Sequence, residues 1–239
     1  LTELTAVLRG DVKGLDRIEE YLTKIDMLRA KARWALDNGA VKPIISTEGR
    51  LLLRKARHPL LEQTLKAQGK AIVPLDMELN AERRILVISG PNAGGKSVCL
   101  KTTGILQYMV QCGFLVPVLE NSEFPLFDSL MIDIGDQQSL ENDLSTYSSH
   151  LVNMKAMLAE ASEHTLIMID EFGSGTEPTI GGAISESILE RFVERKAYGV
   201  ITTHYANIKY FASRNEGVAN GAMAFDVKNI QPLFSLEMG

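Results

Sequence analysis

Residues 85–97 read Ile-Leu-Val-Ile-Ser-Gly-Pro-Asn-Ala-Gly-Gly-Lys-Ser, and no other stretch restricts the folds open to this chain as much. The unbroken apolar run 85–88 predicts a strand buried on both faces, the habit of parallel sheets covered by helices. It runs into Gly90, four intervening residues and Gly95-Lys96-Ser97, then a helical segment 98–112 that stops at Gly113. Strand, glycine-rich turn and helix in that order make a phosphate cradle. Glycines let the backbone wrap until successive N–H groups converge on anionic oxygens, and the helix N-terminus adds its partial positive charge. The candidate nucleotide-binding residues are therefore Gly90, Pro91, Asn92, Ala93, Gly94, Gly95, Lys96, Ser97 and Val98. Lys96 would reach the β- and γ-phosphates, and the Ser97 hydroxyl would ligate Mg2+. A plain glycine-rich turn is the alternative, but it does not explain why every position of the pattern is filled.

A second apolar run, 166–169, ends in Asp170-Glu171. Acids can close a strand merely because it meets solvent. Downstream of a phosphate loop they become a metal-and-base pair, with Asp170 holding Mg2+ through water and Glu171 orienting or deprotonating the attacking water. Residues 144–150 are rich in hydroxyls and open a helix with Leu151, Met154, Met157 and Leu158 on one face. One N-cap accounts for one hydroxyl. The surplus, Ser145, Thr146 and Ser148, reads as a helix start aimed at an anion. The run 200–203 predicts a strand ending at His204; such a His is usually structural, but in this order it would sit near the γ-phosphate.

The order of parts then discriminates among nucleotide-binding classes. Gln137 and Gln138 follow the phosphate loop; the Ser-rich helix start, the Asp-Glu strand end, a small-residue loop and the His-ended strand come after them. This is the order found in ABC-type ATPases, where two nucleotide domains face each other and each phosphate loop is completed by the partner's helix start. Ser145, Thr146 and Ser148 would then act in trans, in a homodimer. The paired glycines of transporters are missing, which makes a transporter subunit the poorest reading.

The remaining chain fills in an α/β fold: a three-layer P-loop NTPase of ABC type, its central sheet mostly parallel, with helices on both faces and an antiparallel flank. Residues 1–40 read as an amphipathic lever-type arm of about 50 Å, ended by Gly39 and Pro43, and residues 41–239 as the ATPase domain. Residues 41–80 predict short strands at 44–45, 51–53, 72–73 and 77–79, with Ile72 and Val73 as adenine contacts. Further strands are expected at 115–118 (an edge, because of Pro117), 130–134, 222–227 and 232–237, and a helix at 180–194. The net charge of −5 argues against this stretch alone gripping nucleic acid by neutralising phosphates. The basic clusters at 29–33 and 54–57 read as solvated faces. Cys99 and Cys112 lack metal-site spacing, and no apolar run is long enough to span a membrane, so a cytoplasmic location is expected. The chain opens on Leu1 rather than Met and is expected to be a piece of something longer.

Taken together, Gly90 to Ser97, Ser145-Thr146-Tyr147, Asp170 to Thr176 and Thr202-Thr203-His204-Tyr205 resemble the ATPase domain of the MutS family, from about Arg57-His58-Pro59 onward. Val98 after Ser97, Ser148-Ser149-His150, and Glu177-Pro178-Thr179 resemble its second bacterial branch, MutS-two, more closely than the mismatch-recognition branch. Ala93 and Phe172 are modest departures. The resemblance implies Mg-dependent ATP hydrolysis at a composite site, homodimers, DNA binding with a preference for branched DNA, restraint of recombination and, in some members, splitting of collided ribosomes. It places the DNA-contacting parts and a nuclease-like domain outside this stretch. It also implies a dimer extension beginning just after Gly239, so this stretch alone should bind ATP yet dimerise weakly. Two readings stay open beside it: the mismatch-recognition branch, and a nucleotide-gated clamp of a chromosome-organising ATPase. The clamp would need long heptad arms, which Gly10, Gly14 and irregular spacing do not suggest.

Overall fold

The computed structural model describes residues 12–135 and 143–239, together with 5, 6 and 9, with backbone alone at 92 and 143–147. Helix α1 (Val12–Asp37) leads into β1 (Ile44–Ile45), β2 (Leu51–Ala56), α2 (Pro59–Ala67), β3 (Leu75–Leu79) and β4 (Ile85–Ser89). Then come α3 (Lys96–Gln111), β5 (Glu123–Phe124), β6 (Ser129–Asp133), α4 (Asp143–Glu160) and β7 (Thr165–Ile169). The chain closes with α5 (Pro178–Glu194), β8 (Tyr198–Thr202), α6 (Ala206–Arg214), β9 (Val218–Asp226) and β10 (Gln231–Met238).

The larger sheet runs β10-β9-β4-β8-β7-β6. From β9 to β6 all neighbours are parallel, and β10 joins β9 antiparallel, which is the expected mostly parallel sheet with an antiparallel flank. Successive residues of a strand point to opposite faces. In β4, Leu86 and Ile88 join one apolar cluster with Leu100 and Leu106 of α3, while Ile85 and Val87 join another with Leu189 and Phe192 of α5 and Ile208 of α6. Helices thus cover both faces, and the continuous apolar runs in β4, β7 and β8 follow from that double burial. The smaller sheet, β1-β5-β2-β3, packs Leu51, Leu53, Met77 and Leu79 onto the α3 side of the core.

The sequence expectations need correction at three places. Residues 59–67, read as part of a strand region, form α2: His58 caps it, Pro59 occupies its first turn, Glu62 lies in that turn and Lys66 in its last. Residues 72–73 are not a strand, and β3 begins only at Leu75. Residues 115–118 make one isolated bridge, Val41 to Val116, since Pro117 has no N–H and its carbonyl is taken by the Arg57 N–H.

Along α1, Leu15, Ile18, Leu22, Ile25 and Leu28 are exposed, and of its residues only Ala35 is buried. Its last turns are docked instead: Trp34 meets Phe114 edge-on, Lys31 Nζ donates to the Cys112 carbonyl, and Arg57 Nη2 donates to the Asn38 and Gly39 carbonyls just past the helix end. Twenty-six residues give α1 a length of about 39 Å. Among the described residues, no helix is long and apolar enough to cross a membrane.

Candidate functional site

Strand β4 delivers the chain to Gly90, where φ of 125° starts the turn; a single 3-10 turn spans Asn92–Gly94, and Gly95, at φ 96°, opens α3. The glycines answer to β9 next door. A Cβ on Gly94 would lie 3.0 Å from the Met223 Cβ, and one on Gly90 3.2 Å from the same atom. With no side chains in the way, the loop wraps against Met223, its Gly94 N–H held by the Pro91 carbonyl at 3.0 Å, and leads into the N-terminus of α3, the positive end of a helix dipole. Lys96 is buried, and its Nζ donates to the Gly90 carbonyl at 2.7 Å. Desolvation pulls the Lys96 pKa down, while Glu171 and Asp170 push it up. Ser97 is half-buried and Val98 exposed.

The two acids follow β7 directly. Asp170 is buried, and its N–H donates to the Asp133 carbonyl at 2.9 Å. Glu171 is half-buried at φ 53°. Because β8 lies between β4 and β7, its end comes up between the phosphate loop and the acids. Thr202 Oγ1 donates to Asp170 Oδ1 at 2.5 Å and accepts the Glu171 N–H at 2.8 Å. Exposed His204 follows. Desolvation lowers its pKa, Lys96 lowers it further, and Glu171 and Asp170 oppose both. Lys96, Asp170, Glu171 and His204 therefore share one electrostatic site at the carboxyl ends of three adjacent strands.

Ile72 and Val73 line a mostly apolar cleft of about 520 Å³ beside the loop, facing His58, Phe234, Gly95 and Ser97. Sequence reasoning missed His58 and Phe234. His58 carried a signal, a His-Pro pair at a helix start: its Nδ1 accepts the Leu61 N–H at 3.4 Å, and desolvation holds its pKa down. Phe234 carried none. It comes from the other end of the chain, on a β10 irregularity between Pro232 and Leu236, at φ 56°.

Of the helix-start residues, Ser148 is exposed; the side chains of Ser145 and Thr146 lie outside the described residues, as do Gln137 and Gln138. One turn further on is a contact the sequence did not reveal. His150 Nδ1 lies 2.6 Å from Asp133 Oδ2, and Asn153 Nδ2 donates to Asp133 Oδ1 at 3.0 Å, tying α4 to the end of β6. The hydrogen bond to buried Asp133 raises the His150 pKa, and a small cavity shared with Met154 and Ser185 separates His150 from Glu171. Among the described residues, no group of three or more His, Cys, Asp and Glu side chains could hold a metal.

A family model described as MutS domain V matches residues 86–238. The Endonuclease MutS2 of Shouchella clausii is 43% identical over all 239 residues, which cover 30% of that protein. The Endonuclease MutS2 of Carboxydothermus hydrogenoformans is 41% identical over all 239 residues and 30% of its own length, and that of Geobacillus sp. is 39% identical with the same coverage. The chain thus spans about 30% of the length of these curated relatives.

Proposed function

The chain belongs to the MutS family, as its domain V, and from that premise we propose that it is the ATP-binding and ATP-hydrolysing domain of a MutS2-type protein. One observation carries the reading. Lys96, Asp170, Glu171 and His204 converge on a glycine cradle that has a nucleotide-sized apolar cleft beside it. ATP fits the residues present: a glycine loop leading into a helix N-terminus, a buried lysine for the phosphates, and a cleft for the base.

In this reading residues 90–98 bind the phosphates, and Lys96 exchanges its bond to the Gly90 carbonyl for phosphate oxygens. Ile72, Val73, His58 and Phe234 take the adenine and ribose. Mg2+ fits one hydroxyl ligand, Ser97, with the Asp170 carboxylate holding it through water, because Mg2+ keeps waters and phosphate oxygens in its shell. When bound, it neutralises charge developing on the phosphates. Glu171 orients the attacking water and accepts its proton, and His204 stands beside the γ-phosphate. Ser145, Thr146 and Ser148 complete a partner's site in trans, which makes the assembly ABC-type and α1 its lever.

The relatives are named endonucleases as whole proteins, and we place any nuclease outside this stretch. The same holds for contacts with branched DNA, proposed as the target, and for any role on ribosomes. The MutS2 relatives favour this branch over mismatch recognition.

The test is steady-state hydrolysis and nucleotide binding with Lys96→Ala and Glu171→Gln. Lys96→Ala should lose both. Glu171→Gln should bind ATP normally and lose about 100-fold or more in turnover, the scale of a removed general base. Hydrolysis unchanged in either variant would assign it to a different protein or site.

A further inference from the structure

Where β7 and β8 end, one side chain holds two residues of the site. The ladder between these strands stops at Ile169 opposite Ile201. Thr202 takes over from there: its hydroxyl donates to the Asp170 carboxylate and accepts the Glu171 N–H, and its carbonyl accepts the Phe172 N–H at 2.8 Å. Between these bonds Glu171 sits at φ 53°, in a left-handed backbone conformation that an L residue avoids unless its surroundings impose it. A hydroxyl suits the position because one oxygen both donates and accepts. The neighbouring Thr203 is equally buried but serves the loop. Its hydroxyl donates to the Phe172 carbonyl and accepts the Tyr205 N–H.

We propose that Thr202 is a positioning residue of the ATP site, its hydroxyl setting the orientation of the Asp170 carboxylate toward a divalent cation and the backbone turn that aims Glu171. The inference rests on the ATPase reading above and adds a residue that reading does not use. It has a clear chemical signature. Valine has nearly the shape of threonine and would keep the carbonyl bond to Phe172, losing only the two hydroxyl bonds. Serine would keep both.

The experiment compares wild type, Thr202→Val and Thr202→Ser. A fluorescent non-hydrolysable ATP analogue is titrated with Mg2+ and with EDTA, and kcat and KM for ATP are measured alongside. In EDTA all three should bind alike, because the loop and Lys96 are untouched. Thr202→Val should lose most of the tightening that Mg2+ brings and about 10- to 100-fold in kcat, the usual cost of removing a ligand's hydrogen-bonded support, with KM for Mg-ATP rising in step with the lost tightening. Thr202→Ser should keep both. The proposal falls if Thr202→Val matches wild type in both readouts, or if Thr202→Ser drops as far as Thr202→Val. Nucleotide binding that survives Lys96→Ala would instead overturn the ATPase reading beneath it. If Thr202→Val fails to fold by thermal melting, Thr202→Ala against Thr202→Ser decides the same question.

Discussion

At the residue scale, the site is built on backbone that the sequence alone would not choose. A left-handed conformation costs a non-glycine residue about 1–2 kcal/mol, and Glu171 bears it next to a buried Asp170. The strain is measurable without reference to catalysis. Glu171→Ala and Glu171→Gly both remove the carboxylate, but only glycine is at ease at φ 53°. Chemical denaturation should find the glycine variant more stable than the alanine variant by about 1 kcal/mol, against the usual preference for alanine. Equal stabilities would mean that the turn is not strained. The phosphate loop, Asp170 and Glu171 were legible because their residue types and spacing are local. Thr202, His58 and Phe234 were not. The partners of Thr202 and Phe234 lie 31 and about 140 positions away, whereas His58 has a local signal, its His-Pro pair, that marks a helix start and not a cleft.

At the element scale, β4, β7 and β8 were plain in the sequence because double burial leaves no polar alternation to misread. Helix α2 was missed because nine residues with apolar Leu60, Leu61 and Leu65 look as much like a broken strand as a helix, and the decisive signal was its His-Pro cap. That helix also carries a partly buried ion pair, buried Glu62 with Arg57 at 2.8 Å, and Arg57 holds the carbonyls that follow α1. Arg57→Ala leaves Glu62 with exposed Lys66 as its remaining cation and frees those carbonyls. A loss of about 2 kcal/mol is expected, the cost of disrupting such a network, read as a lower denaturation midpoint. The α4–β6 tie behaves differently because it titrates. The folded protein holds His150 above its ordinary pKa, through its hydrogen bond to Asp133. Its stabilisation is therefore complete below the unfolded value of about 6.5 and disappears as pH rises through the raised folded value. The melting temperature of wild type should exceed that of His150→Gln at pH 6, and the gap should narrow toward pH 8.5. A gap that widened with pH would mean that His150 is held neutral instead.

At the scale of the whole molecule, α4 is tied through His150 and Asn153 to the end of the edge strand β6, next to β7, while the phosphate loop lies two strands from β7. Under the proposed trans arrangement the Ser-rich helix start would serve a second chain's nucleotide, and the γ-phosphate would hold two copies together, so ATP would favour the closed pair and hydrolysis would release it. Dimerisation of this stretch alone is expected to be weak without nucleotide. Sedimentation should show monomer for the nucleotide-free protein, and a concentration-dependent shift toward dimer for Glu171→Gln with Mg2+ and ATP. Activity carries the same prediction: specific ATPase activity, with Lys96→Ala as the blank, should rise with protein concentration, because each site needs a second chain. A flat specific activity above that blank would mean that each chain hydrolyses alone, and the trans role of Ser145, Thr146 and Ser148 would have to be abandoned. A tight dimer without nucleotide would place the pairing surface elsewhere, and the exposed apolar residues along α1 would become the first place to look for it.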